Sequence, residues 1–227
     1  MTSIPSEPAA VTPAWLTGKL QAAGVLADAQ VSAIRWEPIG TGQVGDSARF
    51  HLSYDREGAG PATVAGKFPA ADAMSRGTAA AFGLYAKEVG FYRELAPQVD
   101  IRVPRAHVAE IADDGIEFVL IFEDLGPCRG GNQLDSCSLA DARAAMRQAA
   151  ALHAPSWNNA AIIATEWLKP REGLTEQIRA LYDNAQTLFR ERYGDILEPE
   201  MMAICEELNE ARDIWFGHDR QDRKSVV

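Results

Sequence analysis

The chain has 227 residues, 47% hydrophobic and 24% charged, enough for one large domain or two small lobes of an ordinary globular protein. Its net charge of -10 argues against nucleic acid as the main partner, since phosphate backbones require clustered Lys and Arg, but a few local cations and backbone N–H groups still suffice for a nucleotide. Cys128, Cys137 and Cys205 are odd in number and lack metal-ligand spacing, no apolar run is long enough for a bilayer, and the start lacks a signal-peptide pattern; a cytoplasmic protein with no membrane partner is expected.

Residues 1–11 are rich in Pro, Ser and Ala and read as a loose tail. Thr12-Pro13 has the form of an N-cap followed by proline in the first helical turn; Leu16 and Leu20 lie one turn apart, and Gly24 is placed to end the helix. Residues 31–39 suit a first strand. It leads into Pro38-Ile39-Gly40-Thr41-Gly42-Gln43-Val44-Gly45-Asp46-Ser47, where Gly40, Gly42 and Gly45 form G-x-G-x-x-G. A dinucleotide fold follows such glycines with a helix, a kinase fold with a strand. Residues 48–55 place apolar groups at Ala48, Phe50, Leu52 and Tyr54, a period of two, so a strand follows and the kinase form is favoured. Residues 56–61 have the composition of a turn, and residues 62–68 form a third strand.

Lys67 lies inside that otherwise apolar strand. Alone it would read as an edge lysine that guards against aggregation. Residues 76–96 read as one helix, with Leu84, Glu88, Phe91, Tyr92 and Leu95 at helical spacing. Glu88 falls on the apolar stripe, where a carboxylate needs a partner, and Lys67 is the natural one; Glu94 is a competitor on the more polar side. Residues 105–111 suit a fourth strand, Asp113-Asp114-Gly115 a hairpin turn, and Phe118-Val119-Leu120-Ile121-Phe122 a buried fifth strand. That run ends in Glu123-Asp124-Leu125-Gly126-Pro127, either a solvated strand end or a crossing whose main-chain groups meet an adenine edge.

Taken together, the glycine stretch, Lys67-Phe68-Pro69, the segment Glu88 to Leu95, Phe122-Glu123-Asp124-Leu125 and Leu152-His153-Ala154 resemble the aminoglycoside-phosphotransferase-like kinases, most closely their ecdysteroid-kinase-like and choline-kinase-like branch. The resemblance covers roughly residues 12–160. It implies an α+β, protein-kinase-like fold: a five-stranded antiparallel amino-terminal lobe with one helix over 12–125 and an incomplete helical carboxy-terminal lobe over 126–221. It implies ATP-dependent phosphate transfer to a hydroxyl of a small molecule, with ATP and Mg²⁺ as cofactors. Gly40, Gly42 and Gly45 would cover the phosphates, Lys67 would bind them, Glu88 would orient Lys67, and Glu123 to Leu125 would form the adenine hinge.

Beyond the hinge, Ser138 with Asp141 resembles a capping box. Leu139, Ala142, Met146, Ala149 and Leu152 line one face of the helix that it starts and that His153 ends; His153 suits a packing role better than a metal or acid–base one. Helices are expected at 174–192 and 199–216, their stripes forming helix–helix core. The family's His-Gly-Asp motif with a following Asn is not found. Gly217-His218-Asp219 is the one approximation; its wrong order and Lys224, where the Asn would stand, argue against Asp219, the sole candidate acid–base residue, and the metal ligands are expected in a missing part of the protein. Residues 222–227 read as a non-native tail, and a chain truncated before its catalytic loop, and inactive as given, is the expectation. A second reading is a non-catalytic, pseudokinase-like module that binds a nucleotide or a protein.

Overall fold

The computed structural model describes residues 4–40, 42–126, 128–132, 134–169 and 173–217. They divide into two compact units, the first ending at Trp167 and the second beginning at Leu168.

In the first unit, Thr12 accepts the Trp15 N–H at 3.2 Å and caps α1 (Pro13–Ala22), which Pro13 enters at its first position. Gly24, at φ +67, turns the chain out of the helix. β1 (Val31–Ile39), β2 (Gly45–Tyr54) and β3 (Thr63–Pro69) follow as consecutive antiparallel strands. β2 begins three residues before the alternation in the sequence becomes visible, so Gly45 is a strand residue.

The single helix expected over 76–96 is two. Asp72 accepts the Ser75 N–H at 2.8 Å and starts α2 (Ala73–Phe82), and Gly83 then adopts φ 63, ψ 31. That left-handed residue closes α2, and α3 (Leu84–Gly90) departs from it, followed by a π-turn over Phe91–Leu95 and a short 3-10 turn over Ala96–Gln98. Pro97 has no N–H with which to continue the helix.

β4 (Ala106–Ile111) and β5 (Phe118–Glu123) form a hairpin around Gly115, at φ +72, and Asp114 accepts the Ile116 N–H at 2.8 Å. The sheet is wholly antiparallel in the order β1-β2-β3-β5-β4. The described chain is therefore α+β, a five-stranded antiparallel sheet with several helices.

Both faces of the sheet are covered. Against one, Leu16 and Leu20 of α1 pack on Phe50, Val64, Phe68 and Ile121. Against the other, Tyr85 and Val89 of α3 pack on Phe118, Leu120 and Phe122. Each such fully buried side chain contributes on the order of 1.5–3 kcal/mol. Continuous burial of β5 on both faces explains why it reads as an uninterrupted apolar run rather than an alternating one.

α4 (Leu139–Ser156) is capped by Ser138, which accepts the Asp141 N–H at 3.1 Å and donates to the Asp141 carboxylate at 2.7 Å. It runs past His153, through Pro155. Proline cannot donate to the Ala151 carbonyl one turn back, and the Asp100 N–H occupies that carbonyl at 3.1 Å. Gln148 Oε1 accepts the Arg102 N–H at 2.7 Å, a second tie to the same segment. Leu139 and Met146, expected on a packed face, are 67% exposed, because α4 docks here through its C-terminal half. α5 (Ala160–Ile163) buries Ile162.

The second unit holds α6 (Leu174–Tyr193), α7 (Pro199–Glu210) and α8 (Arg212–Gly217). The helix expected over 199–216 is thus broken at Ala211. Arg190 of α6 grips Glu206 of α7 through two hydrogen bonds of 2.6 and 2.7 Å. The apolar stripes expected to be core are largely open: Leu181, Ile204 and Leu208 are all exposed. No helix among the described residues is long and apolar enough to cross a membrane.

Candidate functional site

In β3 the side chains of Val64 and Phe68 belong to the α1 side of the sheet, which leaves Ala65 and Lys67 on the α3 side. Lys67 pairs in register with Ser47 of β2 and Leu120 of β5. Its ammonium donates to both oxygens of Glu88, at 2.7 and 2.8 Å, and the two side chains remain 27% and 28% exposed. The charge on the apolar stripe thus has the partner that its position demanded. Glu94 is engaged elsewhere, accepting the Trp167 Nε1–H at 2.7 Å. A Cβ on Gly90 would press into the Trp167 ring at 2.8 Å, so this close approach requires glycine.

The glycine turn lies at the same end of β3. Gly40 has φ +75; a Cβ on Gly42 would overlap the Gly45 carbonyl, and one on Gly45 would crowd Phe68 O at 3.1 Å and Lys67 Cε at 3.2 Å. The absence of a side chain at Gly45 is what lets the Lys67 stem pass beneath the turn. Thr41 lies outside the described residues. A cleft of about 510 Å³ opens along the turn, lined by Trp36, Pro38, Gly40, Gly42, Gly45 and Ser47 among others.

The end of β5 is organised by arginines. Glu123 accepts from Arg102 at 2.7 Å and from the Arg105 N–H at 2.8 Å; the Arg102 bond, chiefly, holds its carboxyl below the ordinary carboxylate range. Asp124 accepts two bonds from Arg49, at 2.6 and 3.1 Å, and these hold its carboxyl down as well. Arg49 is also 3.7 Å from Glu37, and His51 Nε2 is 3.2 Å from that carboxylate. The Leu125 carbonyl accepts the Cys128 N–H at 2.7 Å in a local turn, and the Leu125 side chain is exposed.

The structure therefore gathers Gly40, Gly42, Gly45, Lys67 and Glu88 at one end of the sheet. Glu123 and Leu125 lie beyond Leu120, the register partner of Lys67, Glu123 being three residues and roughly 10 Å further along β5. Asp219 and the tail lie outside the described residues. His153 is an interior residue of α4 whose carbonyl accepts the Trp157 N–H at 2.8 Å. Among the described residues no group of three or more His, Cys, Asp or Glu is arranged to hold a metal ion.

Two contributors are missing from the sequence reading. Arg49 pairs with Asp124 across 75 positions, and no local signal connects them. Tyr85 buries its hydroxyl against the glycine turn; its place three residues before Glu88, on one helical face, was the available signal.

The chemistry on offer is anion binding: an ammonium fixed by a carboxylate, next to a side-chain-free turn of main chain. No protein-family model matches the chain, and no curated protein matches it.

Proposed function

We propose that this chain binds ATP and serves the transfer of phosphate from ATP to a hydroxyl of a small molecule, in the manner of the aminoglycoside-phosphotransferase-like kinases that its sequence resembles. The observation that carries this reading is the Lys67 ammonium, held by both oxygens of Glu88 where its stem passes under Gly45.

An ammonium has three donors. Two of Lys67's are given to Glu88, and the third, which has no partner among the described residues, is left for a phosphate oxygen. Glu88 holds the ammonium in place, so that ordering it adds little to the cost of binding. The glycine turn brings main-chain N–H groups close to a triphosphate where any Cβ would intrude. Mg²⁺, when bound with the nucleotide, supplies charge neutralisation on the triphosphate. The acceptor hydroxyl attacks the γ-phosphorus, the bond to the β–γ bridging oxygen breaks, ADP leaves and the hydroxyl proton passes to a base; Asp219 is the sequence candidate for that base.

Calorimetric titration with Mg-ATP tests the reading. Weak but saturable binding is expected, lowered about tenfold or more by Lys67→Ala and by Glu88→Gln. Absence of saturable binding, or variants equal to the wild type, would overturn it. A transfer assay with γ-labelled ATP and hydroxyl acceptors then separates the kinase from the non-catalytic module, which binds without transferring.

A further inference from the structure

α3 carries two residues, one turn apart, with separate tasks. Glu88 holds Lys67. Tyr85 holds the glycine turn: its hydroxyl donates to the Val44 carbonyl at 2.7 Å and accepts the Ala70 N–H at 3.1 Å. The single phenolic proton is thereby committed, and the oxygen bridges the residue before β2 to the residue after β3. Tyr85 is 1% exposed, with its ring centroid 4.5 Å from that of Phe118. A phenylalanine would fill the same space without making either bond, so packing alone does not account for the hydroxyl. One residue past Gly45, Asp46 accepts the Ala71 N–H at 2.8 Å. Val44 to Asp46 is thus tied at two points to residues 70 and 71.

We propose that Tyr85 is a positioning residue for the phosphate-binding turn, through which α3 sets the turn and the Lys67–Glu88 pair as one unit. This rests on the ATP reading above. A glycine-rich segment has more conformations to lose than any other, and any ordering left until binding subtracts from affinity. Fixing the Val44 carbonyl fixes the plane of the peptide that it shares with the Gly45 N–H, because the peptide group is rigid. When the tie is cut, the cost of ordering falls on groups that meet the triphosphate, not on those that meet the base. The signature is a loss of affinity that depends on the length of the phosphate chain.

The test uses the full chain, Tyr85→Phe, and Phe118→Leu as a control that loosens the same packing while leaving the hydroxyl in place. Hydrogen exchange is followed by mass spectrometry, and ATP and AMP binding by calorimetry. In Tyr85→Phe, exchange over residues 42–46 is expected to rise about tenfold while β5 stays unchanged. ATP affinity is expected to fall about tenfold with AMP affinity within about twofold. Phe118→Leu is expected to lower thermal stability and leave the ATP-to-AMP ratio unaltered. Unchanged exchange over 42–46, an equal loss for ATP and AMP, or the same selective loss in Phe118→Leu each overturns the proposal. If the wild type binds no ATP, the ATP reading falls and takes the affinity claim with it; exchange then decides by itself whether Tyr85 sets the turn.

Discussion

His107 and Asp124 line one cleft of about 560 Å³, and they respond to acid in different windows. His107 is the extra residue of a bulge between Ala106 and Val108, and its buried Nδ1 has no hydrogen-bond partner among the described residues. Burial, reinforced by Arg105, pushes the imidazole below its ordinary value of 6.5. The unfolded chain therefore takes up a proton before the folded one does. Stability begins to fall as the pH drops below about 6.5 and levels off once the folded imidazole is protonated. Asp124 is a carboxylate held below its ordinary 3.8, chiefly by its hydrogen bonds from Arg49. Its contribution is complete above about 3.8 and is lost as the pH falls through the lower folded value. Urea unfolding from about pH 7 to about pH 3 should show two descending steps. His107→Gln removes the upper step, and Arg49→Met shrinks the lower one, to which Glu123 also contributes; a variant whose step is unchanged in size contradicts the assignment. At this scale Lys67 and Glu88 were legible because each charge sits in an apolar pattern that penalises it. Arg49 and Asp124 were not, because a charge on a strand's polar side reads equally well as solvated.

Gly83 decides the shape of the segment between β3 and β4. Leu84, Glu88, Phe91 and Leu95 keep a helical stripe, and that periodicity suggests one helix over 76–96. Periodicity reports which faces are apolar; it does not report the dihedral of one residue. The left-handed turn at Gly83 ends α2 and lets α3 take its own direction, which brings Tyr85 and Glu88 to the edge of the glycine turn. Gly83→Ala should destabilise the protein by about 1 kcal/mol through strain at φ 63, read from the urea midpoint. A stabilised variant with unchanged exchange in α3 would mean that the two helices merge without cost. α4 teaches the same lesson from the other side. The helix expected to end at His153 passes on through Pro155, and the Asp100 N–H takes the Ala151 carbonyl that proline leaves open.

The two units differ in how much they bury. The first has a core on each face of its sheet, whereas none of the described residues of α6 or α7 is fully buried. Local opening is governed by buried apolar contact, so limited chymotrypsin digestion should cut within residues 174–217 well before the sheet, leaving a resistant fragment that contains β1 to β5. Mass spectrometry of the time course checks this; cleavage in the sheet first would contradict it. What the sequence by itself determined were the features written within a few residues: the cap at Thr12, the turns at Gly24 and Gly115, the alternation of β2 and the apolar run of β5. They are short-range because capping, positive φ and side-chain alternation are properties of neighbouring residues. Tertiary structure alone decided that β5 lies between β3 and β4, that Arg49 takes Asp124, and that Tyr85 takes the Val44 carbonyl. Those partners lie tens of residues apart, and only the pairing of β5 within the sheet and the packing of α3 on its face select them from the many donors and acceptors that the sequence offers.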